Sequence, residues 1–285
     1  MASEVHEIAA ADGYRLRYRV WSTRAPAPAH ARGPVRATLV ISGGVMSHSA
    51  WLEPIAAPLA ERGILVVGAE RRGSGLNAEH RGDAPSARAL IDDLVAIIGR
   101  ERAGGMPLIV AGWCWGAIPA ILAAAALGDA VQGLALLAPG MFPTPVVRDR
   151  AEAARALAPG KPLDVPSLPA PITEELFTEG PGLESFILQD ELRLRQVSPR
   201  LLEIMSRMGI AAAAKLRAIT APKLLLLARD DRATDNERTR HALRGLAGLH
   251  SVEVTGEHGL MFDAPEAVAQ ALLAFLAEVG AGGAA

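Results

Sequence analysis

The chain is short of the residue types that identify several protein classes at sight. A single cysteine, Cys114, excludes an internal disulfide and every zinc site built from cysteine pairs. No His-Glu-x-x-His run offers the imidazole alternative, so neither a metal nor any other cofactor is expected. Aromatic residues make up 4% of the chain. Lys plus Arg number 29 against 31 Asp plus Glu, a balance that does not predict nucleic acid or an anionic membrane as partner. The first residues carry Glu4 and Glu7 where a secretory signal has a basic start and an apolar middle, so a cytoplasmic enzyme or binding protein is expected.

What is present is an ordinary globular composition. Half of the 285 residues are hydrophobic and 21% are charged. At roughly 150 residues per domain this allows one large or two small domains with a full core. Residues 106–128 hold no charge over 23 positions, long enough in principle to cross a bilayer. The run reads differently in its two halves: PLIVAG is short and strand-like, AIPAILAAAAL is Ala-rich and helical, and glycines and prolines punctuate both. A buried strand turning sharply into a buried helix explains it better than a membrane span.

Chain order carries the fold. VHEIAA and YRLRYRVW flank a Gly-containing turn and read as a hairpin, followed by an Ala- and Pro-rich linker at 25–34. From Ala37 onward, short aliphatic runs (TLVIS, ILVVGA, PLIVAG, VQGLALLA) alternate with helical segments near 51–62, 86–102 and 117–127. Such alternation implies right-handed crossovers and a mostly parallel sheet covered on both faces. It stops between Pro139 and Pro199, where 10 of the 20 prolines fall. Helical pieces are expected there in VVRDRAEAARALA and LESFILQDELRLRQ, with Ser198 and Pro199 opening another helix. Strand and helix patterns return with KLLLLA, a helix near 235–246, HSVEV and a last helix at 264–279, before a frayed GAGGAA tail. The expected organisation is a core over 1–139, an inserted helical cap over 140–218, and the rest of the core over 219–285.

The informative pentapeptide is GWCWG, residues 112–116. Glycines on both sides relieve crowding around a residue held in strained backbone geometry at a strand-to-helix turn, so that its side chain stands exposed at the sheet edge. That residue is Cys114, and a helix N-terminus favours its thiolate. Taken alone, a lone cysteine is more often a small buried hydrophobe. Its setting changes that reading. His258 lies in GEHGLMF, directly after the strand HSVEV, where a loop reaches back over the sheet edge; the other histidines read as solvated, with His48 kept as a possible pocket residue. An acid to orient the imidazole is expected after KLLLLA, among Asp230, Asp231 and Asp235. Asp231 is the first choice, Asp235 the alternative with a strong competing role as a helix N-cap. Oxyanion donors are expected from the Trp115 amide and from Gly44 or Val45 after ISGG. ERRGSGLN lacks the third glycine and the Lys-Ser or Lys-Thr of a phosphate loop.

Together these pieces resemble the α/β-hydrolase superfamily with a helical cap, in its lysophospholipase and monoacylglycerol lipase branch. The resemblance spans nearly the whole chain and implies an eight-stranded, mostly parallel sheet with flanking helices. It rests on YRLRYRVW, TLVISGG, ERRGSG at the place of an Asp-x-Arg-Gly-x-Gly run, GWCWG, LLLLARDDRATDNERTR and GEHGLMFDAPE. It implies an acid at Asp231 and a base at His258. Three departures stand out: Ser42-Gly43 for the usual His-Gly, Glu70 for the Asp, and Cys114 for the usual Ser. Cysteine at this elbow is similar to dienelactone hydrolases, to polyhydroxyalkanoate synthases, and to the acyl or aminoacyl transferases and thioesterases that service carrier proteins. The last group fits the length and the cap.

The implied function is a cysteine-dependent acyltransferase or thioesterase acting on an acyl thioester carried by a phosphopantetheinyl carrier protein or coenzyme A. An ester hydrolase with Cys in place of Ser is the alternative, and a non-catalytic binding protein of this fold is the third reading. Cap residues Phe186, Ile204, Met205 and Met208, with Trp113 near the elbow, are candidates for a pocket that keeps water from the acyl-enzyme, though simple packing would also account for each.

Overall fold

A computed structural model describes residues 3–22, 35–102, 104–180 and 187–282. The expected linker at 25–34, the end of the tail and the pocket candidate Phe186 lie outside the described residues.

The hairpin forms β1 (Glu4–Ala9) and β2 (Arg15–Trp21), paired antiparallel. The alternating chain then supplies β3 (Ala37–Ser42), α1 (Glu53–Glu61), β4 (Ile64–Ala69), α2 (Ala87–Glu101), β5 (Leu108–Trp113), α3 (Ala117–Leu127) and β6 (Gly133–Leu137). After the insertion come β9 (Lys223–Ala228), α6 (Asn236–Leu243), β10 (Leu249–Val254), α7 (Leu260–Asp263) and α8 (Pro265–Gly282). The eight strands lie in the order β1-β2-β4-β3-β5-β6-β9-β10, parallel from β4 to β10. The edge hairpin strands β1 and β2 alternate in exposure, whereas β5, β6 and β9 are buried at every residue, as strands covered on both faces must be.

The topology decides where chemistry can occur. From β3 the chain crosses to β4 on one side, then returns past β3 to β5 on the other. Right-handed crossovers running in opposite directions put α1 on one face and α2 and α3 on the other. Accordingly α8 packs on α1, whereas α2 packs on α3. The reversal opens a crevice at the carboxyl ends of β3 and β5, the switch point where open α/β sheets bind ligands.

The insertion between β6 and β9 holds α4 (Pro145–Ala156), a two-residue pair of β7 (Leu168–Pro169) and β8 (Gln196–Val197), and α5 (Pro199–Leu216). Ser198 caps α5 by accepting from the Leu201 amide at 2.9 Å, with Pro199 in the first turn. The helix expected over LESFILQDELRLRQ does not continue past Leu188: Ile187 and Leu188 are in π-helical conformation, and residues 189–195 run through turns and irregular backbone into β8. Tertiary contacts outweigh propensity there: Asp190 is bound by His48 and Trp51, and Arg193 by Glu174 and the Ile187 carbonyl. No helix among the described residues is long and apolar enough to cross a membrane; the uncharged run at 106–128 is β5 and α3, buried in the core.

Candidate active site

The elbow follows directly from its glycines. Cys114 has φ +57°, a left-handed conformation that costs a non-glycine residue about 1–2 kcal/mol. The turn is tight enough that a Cβ on Gly116 would stand 2.1 Å from the Ser42 carbonyl oxygen at the end of β3. Only a residue without a side chain lets the start of α3 press against β3. The elbow is also tied from its other side, where the Gly140 amide donates to the Cys114 carbonyl at 2.8 Å.

Beside Cys114 the loops after β9 and β10 bring in the acid and the imidazole. Both side chains are fully buried, and His258 Nδ1 lies 2.9 Å from Asp231 Oδ2. Asp231 is held in place by its own turn: Oδ1 accepts from the amides of Ala233 and Thr234, each at 2.8 Å, and Oδ2 accepts from the Thr234 hydroxyl at 2.7 Å. Burial alone would raise the Asp231 pKa, but the His258 charge and these hydrogen bonds outweigh it and hold the carboxyl below its ordinary value. Burial likewise works against the imidazolium. The charge of Asp231, with Cys114 nearby, overcomes it and raises His258 well above its ordinary range. Because Nδ1 faces the carboxylate, Nε2 is the buried nitrogen left for chemistry, and Cys114 is near enough for its side chain to help hold the imidazolium.

Asp235, the alternative acid, instead caps α6 by accepting from the Arg238 amide at 2.9 Å. Trp113 lies behind the site rather than in it: its indole donates to the His258 carbonyl at 3.1 Å and helps fix that loop. Phe177 from the insertion packs edge-on against the His258 ring, with centroids 5.2 Å apart.

Cys114 opens into a cavity of about 530 Å3 whose walls include Val45, Trp115, Ile118, Met141, Leu202 and Met205. The cavity surface is largely apolar, and Val45 and Trp115, two of the expected oxyanion donors, border it with the thiol. Gly44 is the third: a Cβ there would lie 3.3 Å from Cys114 Sγ, so its loop backbone stands directly against the sulfur. Met205 borders the cavity, but Met208, one turn later on α5, is buried in the core and does not line it. Ile204 is also buried and away from the cavity wall. His48 is neither solvated nor on the wall of the Cys114 cavity. It is buried, accepts from the Ala50 amide through Nδ1, and places Nε2 2.6 Å from Asp190 Oδ2. The reason is tertiary: Asp190 lies 142 positions away in a segment read as helix, so local pattern gave no partner for the ring.

Sequence reasoning also missed Thr234, Phe177, Gly140 and Arg71. Thr234 follows the acid closely enough to be read as its partner, and Arg71 sits inside the quoted ERRGSG run. Phe177 and Gly140 carry no local signal. Among the described residues no group of three or more His, Cys, Asp or Glu side chains could hold a metal ion.

Comparison with known proteins agrees with this architecture. The monoglyceride lipase of Saccharomyces cerevisiae superposes with a TM-score of 0.83 at 15% identity, over 98% of this chain and 96% of that one. The monoacylglycerol lipase of Paleococcus ferrophilus gives 0.76 at 19% identity, over 97% and 99%. A thioesterase domain from the curacin biosynthetic pathway gives 0.62 at 16% identity, over 96% and 100%. At these identities the likeness is one of fold. No curated protein sequence matches the chain. The model of the serine aminopeptidase S33 family, Hydrolase_4, matches residues 33–264. With that match covering most of its length, the chain belongs to this family and is an α/β-hydrolase enzyme.

Proposed function

We propose that this protein is a cysteine-dependent acyltransferase or thioesterase, which takes an acyl group from a thioester donor and carries it as a covalent thioester on Cys114. The observation that carries the reading is the joint placement of a positive-φ Cys114, the His258–Asp231 pair at 2.9 Å, and an apolar cavity at the sulfur. The donor is an acyl thioester of coenzyme A or of a phosphopantetheinyl carrier protein. The apolar wall suits a hydrocarbon acyl chain. A cytoplasmic setting, where thiols stay reduced, suits a free cysteine.

In the first step the Cys114 thiolate attacks the donor carbonyl, forming a carbon–sulfur bond and a tetrahedral oxyanion facing the Trp115 amide and the Gly44–Val45 loop. Collapse breaks the donor's carbon–sulfur bond, and the departing thiolate takes a proton from His258 Nε2. An amine, alcohol or water then loses its proton to the same nitrogen as it attacks the acyl-cysteine and expels Cys114. Exchange of one thioester for another keeps the acyl group activated, which an ester on serine would not. Burial of His258 and Phe177 limits the access of water to the intermediate.

Intact-protein mass spectrometry after incubation with acyl-pantetheine donors tests this. A lasting acyl adduct on Cys114, absent from Cys114→Ala, is the expected result. The second reading, a carboxylic ester hydrolase with Cys in place of Ser, draws on the hydrolase family match and on the fold shared with monoglyceride and monoacylglycerol lipases. Rapid turnover of simple esters with no accumulating thioester would select it instead.

A further inference from the structure

Two adjacent arginines follow β4, and they do different work. Arg72 is held by carboxylates, with Nε 2.6 Å from Asp93 Oδ2 and Nη1 2.6 Å from Asp12 Oδ2. Arg71 binds carbonyls instead. Its Nη1 donates to the Gly44 oxygen at 3.2 Å and its Nη2 to the Val45 oxygen at 2.9 Å, while the guanidinium lies 5.5 Å from the centre of the Trp115 ring. The adjacent carboxylate is engaged elsewhere: Glu70 accepts from the Ser49 amide and hydroxyl and from the Leu76 amide. Arg71 Nε is buried without a hydrogen-bond partner among the described residues. Burial lowers Arg71 to about 10, so it remains a cation at neutral pH.

This cation touches both elements expected to supply oxyanion donors. The described peptide bonds are all trans, and in a trans peptide the carbonyl and the amide hydrogen point to opposite sides. Holding the Gly44 oxygen therefore turns the Val45 N–H away from the guanidinium. Val45 and Cys114 border the same cavity, and the Gly44 backbone stands against the sulfur. An amide whose orientation is set before substrate arrives needs no reorganisation when negative charge develops, which is the source of oxyanion-site efficiency.

We infer that Arg71 is a positioning residue for acyl transfer: it holds the Gly44–Val45 peptide so that the Val45 amide, together with that of Trp115, faces the oxyanion formed on Cys114. This rests on the acyl-thioester reading above. It also decides between the two loop donors, because the Gly44 amide belongs to the preceding peptide, whose carbonyl Arg71 does not bind.

The test compares two reactions of one sulfur. Acylation by an acyl-pantetheine passes through a tetrahedral oxyanion; alkylation by iodoacetamide is a direct displacement of iodide and forms none. Both rates are measured on wild type, Arg71→Met and Arg71→Lys, with alkylation at pH about 9.5, above the ordinary thiol range. For Arg71→Met, acylation should slow by about 10- to 100-fold at saturating donor, with the half-saturating concentration and the alkylation rate within about threefold of wild type. Arg71→Lys, which keeps the charge and can still donate to one carbonyl, should recover part of the loss; it also carries the test if Arg71→Met does not fold. Acylation at the wild-type rate, or equal losses in both reactions, would overturn the inference by making Arg71 irrelevant or merely structural. A wild-type protein that no thioester donor acylates would overturn the function proposed above, and this inference with it.

Discussion

The sheet edge that carries Cys114, Asp231 and His258 and the insertion between β6 and β9 are built to different standards. At the edge, β5 is buried at every residue, both members of the acid–imidazole pair are sealed, and the elbow is pressed between β3 and the Gly140 amide. In the insertion, α4 buries only Ala154. Of the seven exposed large hydrophobic residues among the described ones, six fall in that segment: Val146, Leu157, Leu163, Val165, Leu188 and Ile210. The edge is over-determined by packing and hydrogen bonds, whereas much of the insertion is a thin cover whose inner surface shapes the cavity. One region holds the cysteine, imidazole and carboxylate; the other supplies much of the apolar wall of the cavity at Cys114.

The largest effect should come from the edge. Asp231→Asn keeps the shape but removes the charge that holds the His258 imidazolium, and by analogy with the serine triad should lower turnover by about ten-thousandfold. Asp235→Asn should stay within about threefold, since asparagine caps a helix as well as aspartate does. Initial-rate kinetics on the two variants checks both, and a greater loss in Asp235→Asn would move the acid.

The same pair gives stability a pH signature. His258 is raised in the folded state, so its contribution is fully present below the unfolded value of about 6.5 and is lost as pH rises through the folded value. Asp231 is lowered, so its contribution is present above the unfolded value of about 3.9 and lost as pH falls through the folded one. The urea-midpoint gap between wild type and His258→Asn should therefore be widest at pH about 4.5–6.5 and shrink towards higher pH. A gap that widened as pH rose would show that the buried ring does not rely on its charge.

Next in size is Gly116→Ala. Gly→Ala at a compatible helical position usually stabilises, yet here the new Cβ would sit 2.1 Å from the backbone oxygen of Ser42. A backbone atom cannot rotate out of the way. Denaturant unfolding should show a loss of about 3 kcal/mol or more. A neutral result would mean that the elbow has slack.

How far the sequence could be read follows the same division. GWCWG was legible because one local requirement, a strained residue between glycines, dictates both the turn and the residue types. The sheet was legible because doubly covered strands must be continuous apolar runs. The segment LESFILQDELRLRQ has a helical pattern, but its backbone beyond Leu188 is fixed by Asp190 contacts with His48 and Trp51 and by the Arg193–Glu174 pair, partners distant in sequence. His48 was missed as a buried group for the same reason. Arg71 was visible as a residue but not as a contact, since its partners Gly44 and Val45 lie 27 and 26 positions earlier.

The smallest effects should separate two methionines one turn apart on α5, and they test the comparison within the insertion itself. Met208 is fully packed, so Met208→Ala should cost about 2–4 kcal/mol of stability by the cavity it leaves, with the preferred acyl chain unchanged. Met205 borders the cavity and is only partly buried, so Met205→Ala should alter stability much less. What it changes is the room beside Cys114. A single methylene that fits or fails to fit an apolar pocket is worth roughly 1–3 kcal/mol, so the acylation preference should shift by about tenfold or more towards a longer acyl-pantetheine. Competition between short- and long-chain donors, read by adduct mass, measures that shift, and thermal unfolding measures the stability. If Met205→Ala lost as much stability as Met208→Ala without moving the chain preference, this face of α5 would be core like the sheet edge, and the division of labour between the two regions would not hold there.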